Sequence, residues 1–124
     1  MATVVTTLAK KKMLEARAGI NPLPVIKGMA FGTGGYVGDQ IVHHDPDDNH
    51  LFSEVYRQTI DGHTVISDTK IRYACTLGAG TLDGTYISEI GLYDAEDDFV
   101  AFKSFMKKGK DPDIEVVFEC DDTF

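Results

Sequence analysis

The segment from position 43 to position 50 holds the densest set of residues that could bind a metal. Its residues are His43, His44, Asp45, Pro46, Asp47, Asp48, Asn49 and His50. Imidazole nitrogens and carboxylate oxygens are the donors that divalent ions prefer. However, an EF-hand that starts at Asp45 would lack the glycine and the glutamate that such a loop needs. The pattern favours a solvated loop, so we predict no metal and no cofactor, with metal binding by this loop as the alternative.

A second candidate is the glycine-rich stretch from Gly32 to Gly38. A dinucleotide-binding loop would need glycine at the place of Val37, and the Gly-Lys-Ser/Thr ending of a Walker A loop is absent. No serine lies in a Gly-x-Ser-x-Gly sequence, the usual setting of a hydrolase nucleophile. We therefore predict a flexible turn here, no catalytic residues and a protein that is not an enzyme. The loop continues to Asn49, which is long for a compact domain and predicts a functional or mobile segment.

Two glutamates, Glu54 and Glu89, differ from the other acids because each lies inside an apolar run. The runs are Phe52-Ser53-Glu54-Val55-Tyr56 and Ile87-Ser88-Glu89-Ile90. A carboxylate on a strand faces solvent by default. A buried one must accept hydrogen bonds or pair with a cation, and Arg57, Arg72 or backbone N–H groups are the available partners.

Charge is distributed unevenly along the chain. The formal net charge of the 124 residues is −8, whereas residues 1–17 are basic. The charged residues of that segment are Lys10, Lys11, Lys12 and Arg17, with Glu15 as the only acid. The absence of a basic stripe elsewhere argues against nucleic-acid binding. A basic segment beside an acidic remainder can instead steer assembly with a copy or a partner.

No apolar run approaches the roughly 20 residues that a membrane span needs, and the chain opens without a signal-peptide pattern. We therefore expect no membrane insertion and intracellular synthesis. Cys75 and Cys120 alternate with apolar neighbours, which favours buried thiols over a disulfide.

The elements that must position these residues are a helix and a set of strands. The sequence predicts a helix over residues 7–18, where apolar residues recur at helical spacing. A β-rich region follows over residues 25–120, and Lys70 to Leu77 gives its clearest alternation of apolar and polar side chains. We predict a single domain over residues 1–124 of the α+β class, with the N-terminal helix packed on a mainly antiparallel β-sheet or small sandwich.

A hairpin is predicted for residues 86–105, where two apolar runs flank an acidic block from Asp94 to Asp98. An acidic link of this length is typical of a hairpin loop. In the second run, from Phe99 to Met106, both alternating sets of side chains are apolar. A strand in a half-solvated sheet needs only one apolar face. We therefore expect this strand to be central or covered by a partner, and we favour the partner.

Three segments of the chain occur in an order and at a spacing that carry a family resemblance. They are Gly28-Met29-Ala30-Phe31-Gly32-Thr33-Gly34-Gly35, then Leu51-Phe52-Ser53-Glu54-Val55-Tyr56-Arg57, and then Ile87-Ser88-Glu89-Ile90-Gly91-Leu92-Tyr93-Asp94, which Phe99-Val100-Ala101 follows. The ordered set resembles the phage tail-collar fibre family, a domain found at the N-terminus of many phage tail fibres. The resemblance covers residues 10–106.

The resemblance implies a structural component of a phage tail or phage tail-like particle, made in the bacterial cytoplasm. It implies that the protein attaches a tail fibre to the baseplate through protein–protein contacts. The implied partners are baseplate and tail-fibre proteins together with copies of the chain, and a trimer is favoured. The family has no catalytic residues to carry over. Family fibres normally continue into a shaft, whereas this sequence ends at Phe124, which favours a short adaptor.

Two other functions stay open. The first is a module of the tail that binds cell-surface glycans, with Tyr36 or Tyr86 as a stacking platform. The second is a tail-fibre assembly chaperone. For partner binding we predict residues of the basic helix, the glycine-rich loop and the hairpin, namely Lys10, Lys11, Lys12, Tyr36, Asp94 and Phe102.

Overall fold

The computed structural model describes residues 3–124, and strands make up most of its regular structure. Its helix, α1, spans Thr7–Arg17. The strands are β1 (Val4–Val5), β2 (Ile26–Gly32), β3 (Tyr36–Val37), β4 (Gln40–Ile41), β5 (Glu54–Thr59), β6 (Gly62–Ser67), β7 (Lys70–Leu77), β8 (Tyr86–Asp94), β9 (Phe99–Gly109) and β10 (Val116–Thr123). Thr6 caps the helix by accepting a hydrogen bond from the Ala9 N–H over 3.0 Å. The predicted helix is therefore confirmed to within one residue at its end.

The predicted α+β class is wrong, because the chain is mostly β. Strands account for 50% of the residues and helix for 9%. The helix buries only Ala9, and Leu14 beside its apolar stripe is 63% exposed. A helix with so narrow a buried stripe does not form a layer on a sheet, as the helices of an α+β fold do. The sequence predicted the helix itself but overstated its part in the core.

Two antiparallel sheets form the body of the described chain. The larger has five strands in the order β1-β9-β8-β2-β5, and the smaller has three in the order β10-β7-β6. Strands β8 and β9 form the hairpin predicted for residues 86–105, with Leu92 opposite Ala101. Strand β7 coincides with the predicted alternating stretch. The region after β2 is not a plain loop, since β3 and β4 pair within it.

The two sheets enclose the main apolar core. Its buried residues are Met29, Phe31, Ile87, Ile90, Leu92 and Phe105 from the larger sheet, and Cys75, Leu77, Phe118 and Cys120 from the smaller. Phe31 meets Phe118 edge to face, with ring centroids 5.2 Å apart. Both thiols are free, and burial raises the pKa of Cys75 to about 11 and that of Cys120 to about 12. The prediction of buried thiols is confirmed.

A second, smaller core lies on the opposite face of the larger sheet. It consists of Ala30, Leu51, Tyr93, Phe99 and Phe102. Leu51 precedes β5 and is only 3% exposed, so the segment before β5 covers this face. Strand β9 therefore has Phe105 in the main core and Phe102 in the second core. Of the two expectations, a central strand or a strand covered by a partner, the central strand is the one found, because β9 lies between β1 and β8 and the chain itself covers both residues. Partner binding at Phe102 is a separate prediction.

Candidate functional site

The side chain of Glu89 is fully buried and has four hydrogen-bond partners. Its Oε1 atom accepts from the Phe52 N–H over 2.9 Å and lies 2.9 Å from His44 Nε2. Its Oε2 atom accepts from the N–H groups of Ser53, over 2.8 Å, and Gly34, over 3.0 Å. Of the partners that the sequence left open for a buried glutamate, backbone N–H groups are the ones present.

These contacts explain why three separate segments of the sequence act together. Gly34, Ser53 and Glu89 each come from a different one of the segments that carry the family resemblance, and they meet at one carboxylate. A Cβ atom on Gly32 would lie 2.5 Å from Glu89 Oε2, and one on Gly34 would lie 2.6 Å from the Phe52 Cβ. Glycine is therefore required at both positions so that the loop can approach the buried acid.

His44 is the fourth partner of Glu89, and it belongs to the segment of positions 43–50. It is 5% exposed, and its ring lies between those of Phe52 and Phe102, with centroids 4.0 and 4.2 Å away. Its Nδ1 atom lies 2.9 Å from Asp48 Oδ2, while its Nε2 atom faces Glu89. Since both nitrogens face carboxylates, the ring donates to both when it carries two protons. Both ring nitrogens are therefore engaged in contacts within the chain.

The side chains of positions 43–50 do not form a group of three or more potential metal ligands around His44. The Nδ1 atom of His50 lies 2.8 Å from the carbonyl oxygen of Leu51. Asp45 accepts a hydrogen bond from the backbone N–H of Asp47 over 2.9 Å. Within residues 3–124, the one group of three or more potential ligand side chains at metal-binding distances is instead the acidic turn after β8, which consists of Asp94, Glu96 and Asp98.

Lys12 of α1 occupies this acidic turn. Its Nζ atom lies 2.7 Å from Asp94 Oδ2, 2.8 Å from Asp98 Oδ2 and 3.0 Å from Glu96 Oε1. Partial burial lowers the pKa of Lys12, but the hydrogen bonds to these carboxylates outweigh it and raise the pKa above its ordinary value. The ammonium group thus supplies the positive charge that the carboxylates need, and it ties the helix to the hairpin.

Replacing Lys12 by methionine is expected to lower the free energy of unfolding by about 1–3 kcal/mol. Methionine keeps most of the apolar stem but leaves Asp94, whose side chain is 2% exposed, without its counter-ion. Urea unfolding followed by circular dichroism measures the change. The matched control is K11M, since Lys11 is exposed on the same helix, and it should stay within about 0.5 kcal/mol of the wild type. Equal losses for K12M and K11M would contradict the assigned contact.

Acid is expected to weaken the Glu89 site. Burial raises the pKa of Glu89, but hydrogen bonds from His44 and from backbone N–H groups outweigh it and hold the pKa below its ordinary value of 4.5. A lowered folded-state pKa means that the contribution of Glu89 is complete above pH 4.5 and declines as the pH falls through the folded-state value. The urea midpoint should therefore fall in this acid range. An NMR titration in which the Glu89 carboxyl titrates above 4.5 would contradict the prediction.

The predicted partner-binding residues of the helix and hairpin occupy two environments. Lys10 and Lys11 are exposed on α1. Lys12 and Asp94 pair with each other, and Phe102 is fully buried beneath His44. Partner binding at all of these residues stays a prediction, and the structure gives the last three a role in holding the chain together.

Tyr36 is half-buried on β3, and its hydroxyl group contacts the end of β9. The hydroxyl donates to the Phe105 carbonyl oxygen over 3.0 Å and accepts from the Lys107 N–H over 2.8 Å. The Lys107 Nζ atom lies 5.0 Å from the centroid of the tyrosine ring. Tyr86, the other predicted platform, is 63% exposed. Glycan or partner binding by these tyrosines stays a prediction.

Sequence reasoning did not predict the burial of His44 or of Lys110. His44 was predicted to lie in a solvated loop, whereas it is buried and its Nε2 atom faces Glu89. Lys110 is 2% exposed, and its Nζ atom lies 3.1 Å from the Asp111 carbonyl oxygen and 3.4 Å from Asp83 Oδ1. The apolar neighbours of Glu89 were the one signal that a buried polar site existed, and no local pattern marks Lys110.

The fold is mostly β, and the contacts of Glu89, His44 and Lys12 hold separate segments of the chain together. Both features are those of a structural protein. The chain belongs to the phage tail-collar fibre family, since the model of the family's N-terminal domain matches residues 1–115. This confirms the family predicted from the sequence. The comparisons with curated proteins and with solved structures gave no significant match.

Membership of this family establishes the general role of the protein. It is a structural component of phage tail fibres, present in the virion and associated with other phage tail proteins. The family is structural and not typically enzymatic. Within residues 3–124, no helix has the length and apolar character needed to cross a membrane.

Proposed function

We propose that this chain attaches a tail fibre to the baseplate of a phage tail or phage tail-like particle through protein–protein contacts. The observation that carries the proposal is the family match over residues 1–115. The internal contacts of Glu89 and Lys12 support it, because they fix loops and helix in place and so present constant surfaces to partners.

The exposed side of α1 is the surface that we assign to attachment. Lys10, Lys11 and Arg17 are exposed there, whereas Lys12 turns inward to the acidic hairpin. These cations stand out on a chain with a formal net charge of −8. They suit an acidic surface on a baseplate or tail-fibre protein, and opposite charges accelerate and orient such an association.

We infer that each chain forms a single domain and that the chains assemble into a homo-oligomer, with a trimer favoured. The support for this is the family resemblance. Sedimentation of the purified chain measures the state directly, and a monomer at all concentrations would contradict the oligomer without affecting the family assignment.

Matched charge reversals test the attachment surface. K11E changes the exposed side of α1, and K108E makes the same change on exposed Lys108 of β9. We expect K11E to lower the number of copies per purified particle several-fold, as measured by quantitative mass spectrometry, and K108E to assemble normally. Normal assembly of K11E would overturn the assigned surface. Absence of the wild-type chain from particles would overturn the attachment role and favour the assembly chaperone.

A further inference from the structure

A groove of about 490 Å³ lies where α1 and the segment before β2 face the end of the smaller sheet. The helix and that segment contribute Met13, Leu23 and Val25, and the smaller sheet contributes Ile71, Tyr73 and Asp122. The lining is mostly apolar and contains few charged groups. It is separate from the exposed basic side of α1.

The groove continues the core face of the smaller sheet. Cys120 and Tyr73 are opposite each other, and Cys120 is fully buried in the main core. Two residues further along these strands, Asp122 is opposite Ile71, which is in turn opposite Val65. Residues two apart on a strand share a face, so this row extends the core face. Here, however, Val65 is 65% exposed, and the core face is left open.

The other side of the groove is also apolar and open to solvent. Leu23 is 52% exposed and Val25 is 72% exposed. Two facing apolar surfaces that both remain uncovered are typical of a binding groove for another protein. A protein segment that binds in this groove therefore needs apolar side chains.

Asp122 indicates that the bound segment also carries a positive charge. Lys12 and Asp94 also line the groove, but they form an ion pair with each other. Asp122 is half-buried, and no hydrogen bond or ion pair joins its carboxylate to the rest of residues 3–124. Burial raises the pKa of Asp122, because a carboxylate removed from water loses solvation. A cation from a partner would restore favourable interactions, whereas an anionic ligand such as a fatty acid would be repelled.

We propose that this groove binds an apolar peptide segment of another tail protein that carries one lysine or arginine. Its apolar side chains pack on Leu23, Val25 and Ile71, and its cation pairs with Asp122. This inference rests on the proposed attachment function and specifies one contact that would serve it.

Peptide binding to the purified full chain tests the groove. The probes are overlapping synthetic peptides that cover the baseplate and tail-fibre proteins of the same particle. Bound peptides are expected to be apolar with one lysine or arginine. D122K should weaken their binding at least about tenfold, and changing the peptide cation to glutamate should restore binding to D122K. The matched control is D113K on an exposed turn residue, which should bind as the wild type does.

D122N serves as a second variant in case D122K fails to fold. It removes the half-buried charge with little change in volume, so it should fold normally and still bind the peptide less tightly. No bound peptide, or equal binding by D122N and the wild type, would overturn the inference.

Photo-crosslinking from position 25 in assembled particles separates the groove from the attachment role. A crosslink to another tail protein is expected. A crosslink only between copies of this chain, or none in a chain located at the fibre–baseplate junction, would overturn the groove alone. Absence of the chain from particles would overturn the attachment function on which the groove rests.

Discussion

Replacing Glu89 by alanine is expected to lower the free energy of unfolding by about 3–5 kcal/mol, a large part of the stability of a small domain. The substitution leaves the N–H groups of Gly34, Phe52 and Ser53 without their acceptor beside a fully buried position. Each buried donor that loses its partner costs about 1–3 kcal/mol. His44 also loses the carboxylate that faces its Nε2 atom.

Urea unfolding of E89A and of the matched variant E54A measures this effect. Glu54 pairs with Arg57 on the exposed edge strand, with 2.8 Å between Oε2 and Nε, and its loss should cost no more than about 1 kcal/mol. E89Q should also be destabilised, because its amide N–H₂ group faces backbone donors instead of accepting from them. An E89A protein as stable as E54A would show that the carboxylate does not hold the loops.

Replacing Phe102 by alanine is expected to lower the free energy of unfolding by about 3–5 kcal/mol. Phe102 is fully buried in the second core, where its ring lies 4.2 Å from that of His44 and 5.0 Å from that of Phe99. The substitution removes the ring from both contacts and leaves a cavity between the sheet and the segment before β5. The measurement is again the free energy of unfolding in urea.

Two variants separate the structural role of Phe102 from the predicted partner binding. F124A removes an aromatic ring that is 71% exposed, so its stability should change by less than about 0.5 kcal/mol. F102L keeps most of the apolar volume and should recover much of the lost stability. If F102A unfolds at the wild-type midpoint, the burial of this residue is wrong. If F102L is stable yet fails to bind tail proteins, the predicted partner contact gains support.

The sequence predicted those elements whose signals are local. The alternation from Lys70 to Leu77 marked β7 residue by residue, since its apolar side chains share one face, on which Cys75 and Leu77 are fully buried. The acidic block after Asp94 marked the β8–β9 turn, in which Asp94 accepts hydrogen bonds from the N–H groups of Glu96 and Asp98. Such patterns depend only on neighbours in the chain.

The contacts that build the candidate site join residues far apart in the sequence, and no local pattern reveals them. Lys12 and Asp94 are 82 positions apart, and His44 and Glu89 are 45 apart. The basic helix and the acidic hairpin were therefore predicted as two separate surfaces, although Lys12 joins them. Strand β9 is a further example. The sequence showed that both of its faces are apolar, but it did not show that the distant residue Leu51 helps to cover the face of Phe102.

The central claim is that this protein attaches a fibre to the baseplate, and locating the chain in purified particles tests it most directly. Cryo-electron microscopy of the intact tail, with the two-sheet fold fitted into the density, gives the position and the number of copies. We expect the fold at the junction between fibre and baseplate, with the exposed side of α1 against a neighbouring protein. A particle that lacks the chain, or that carries it only at the fibre tip, would contradict the attachment role.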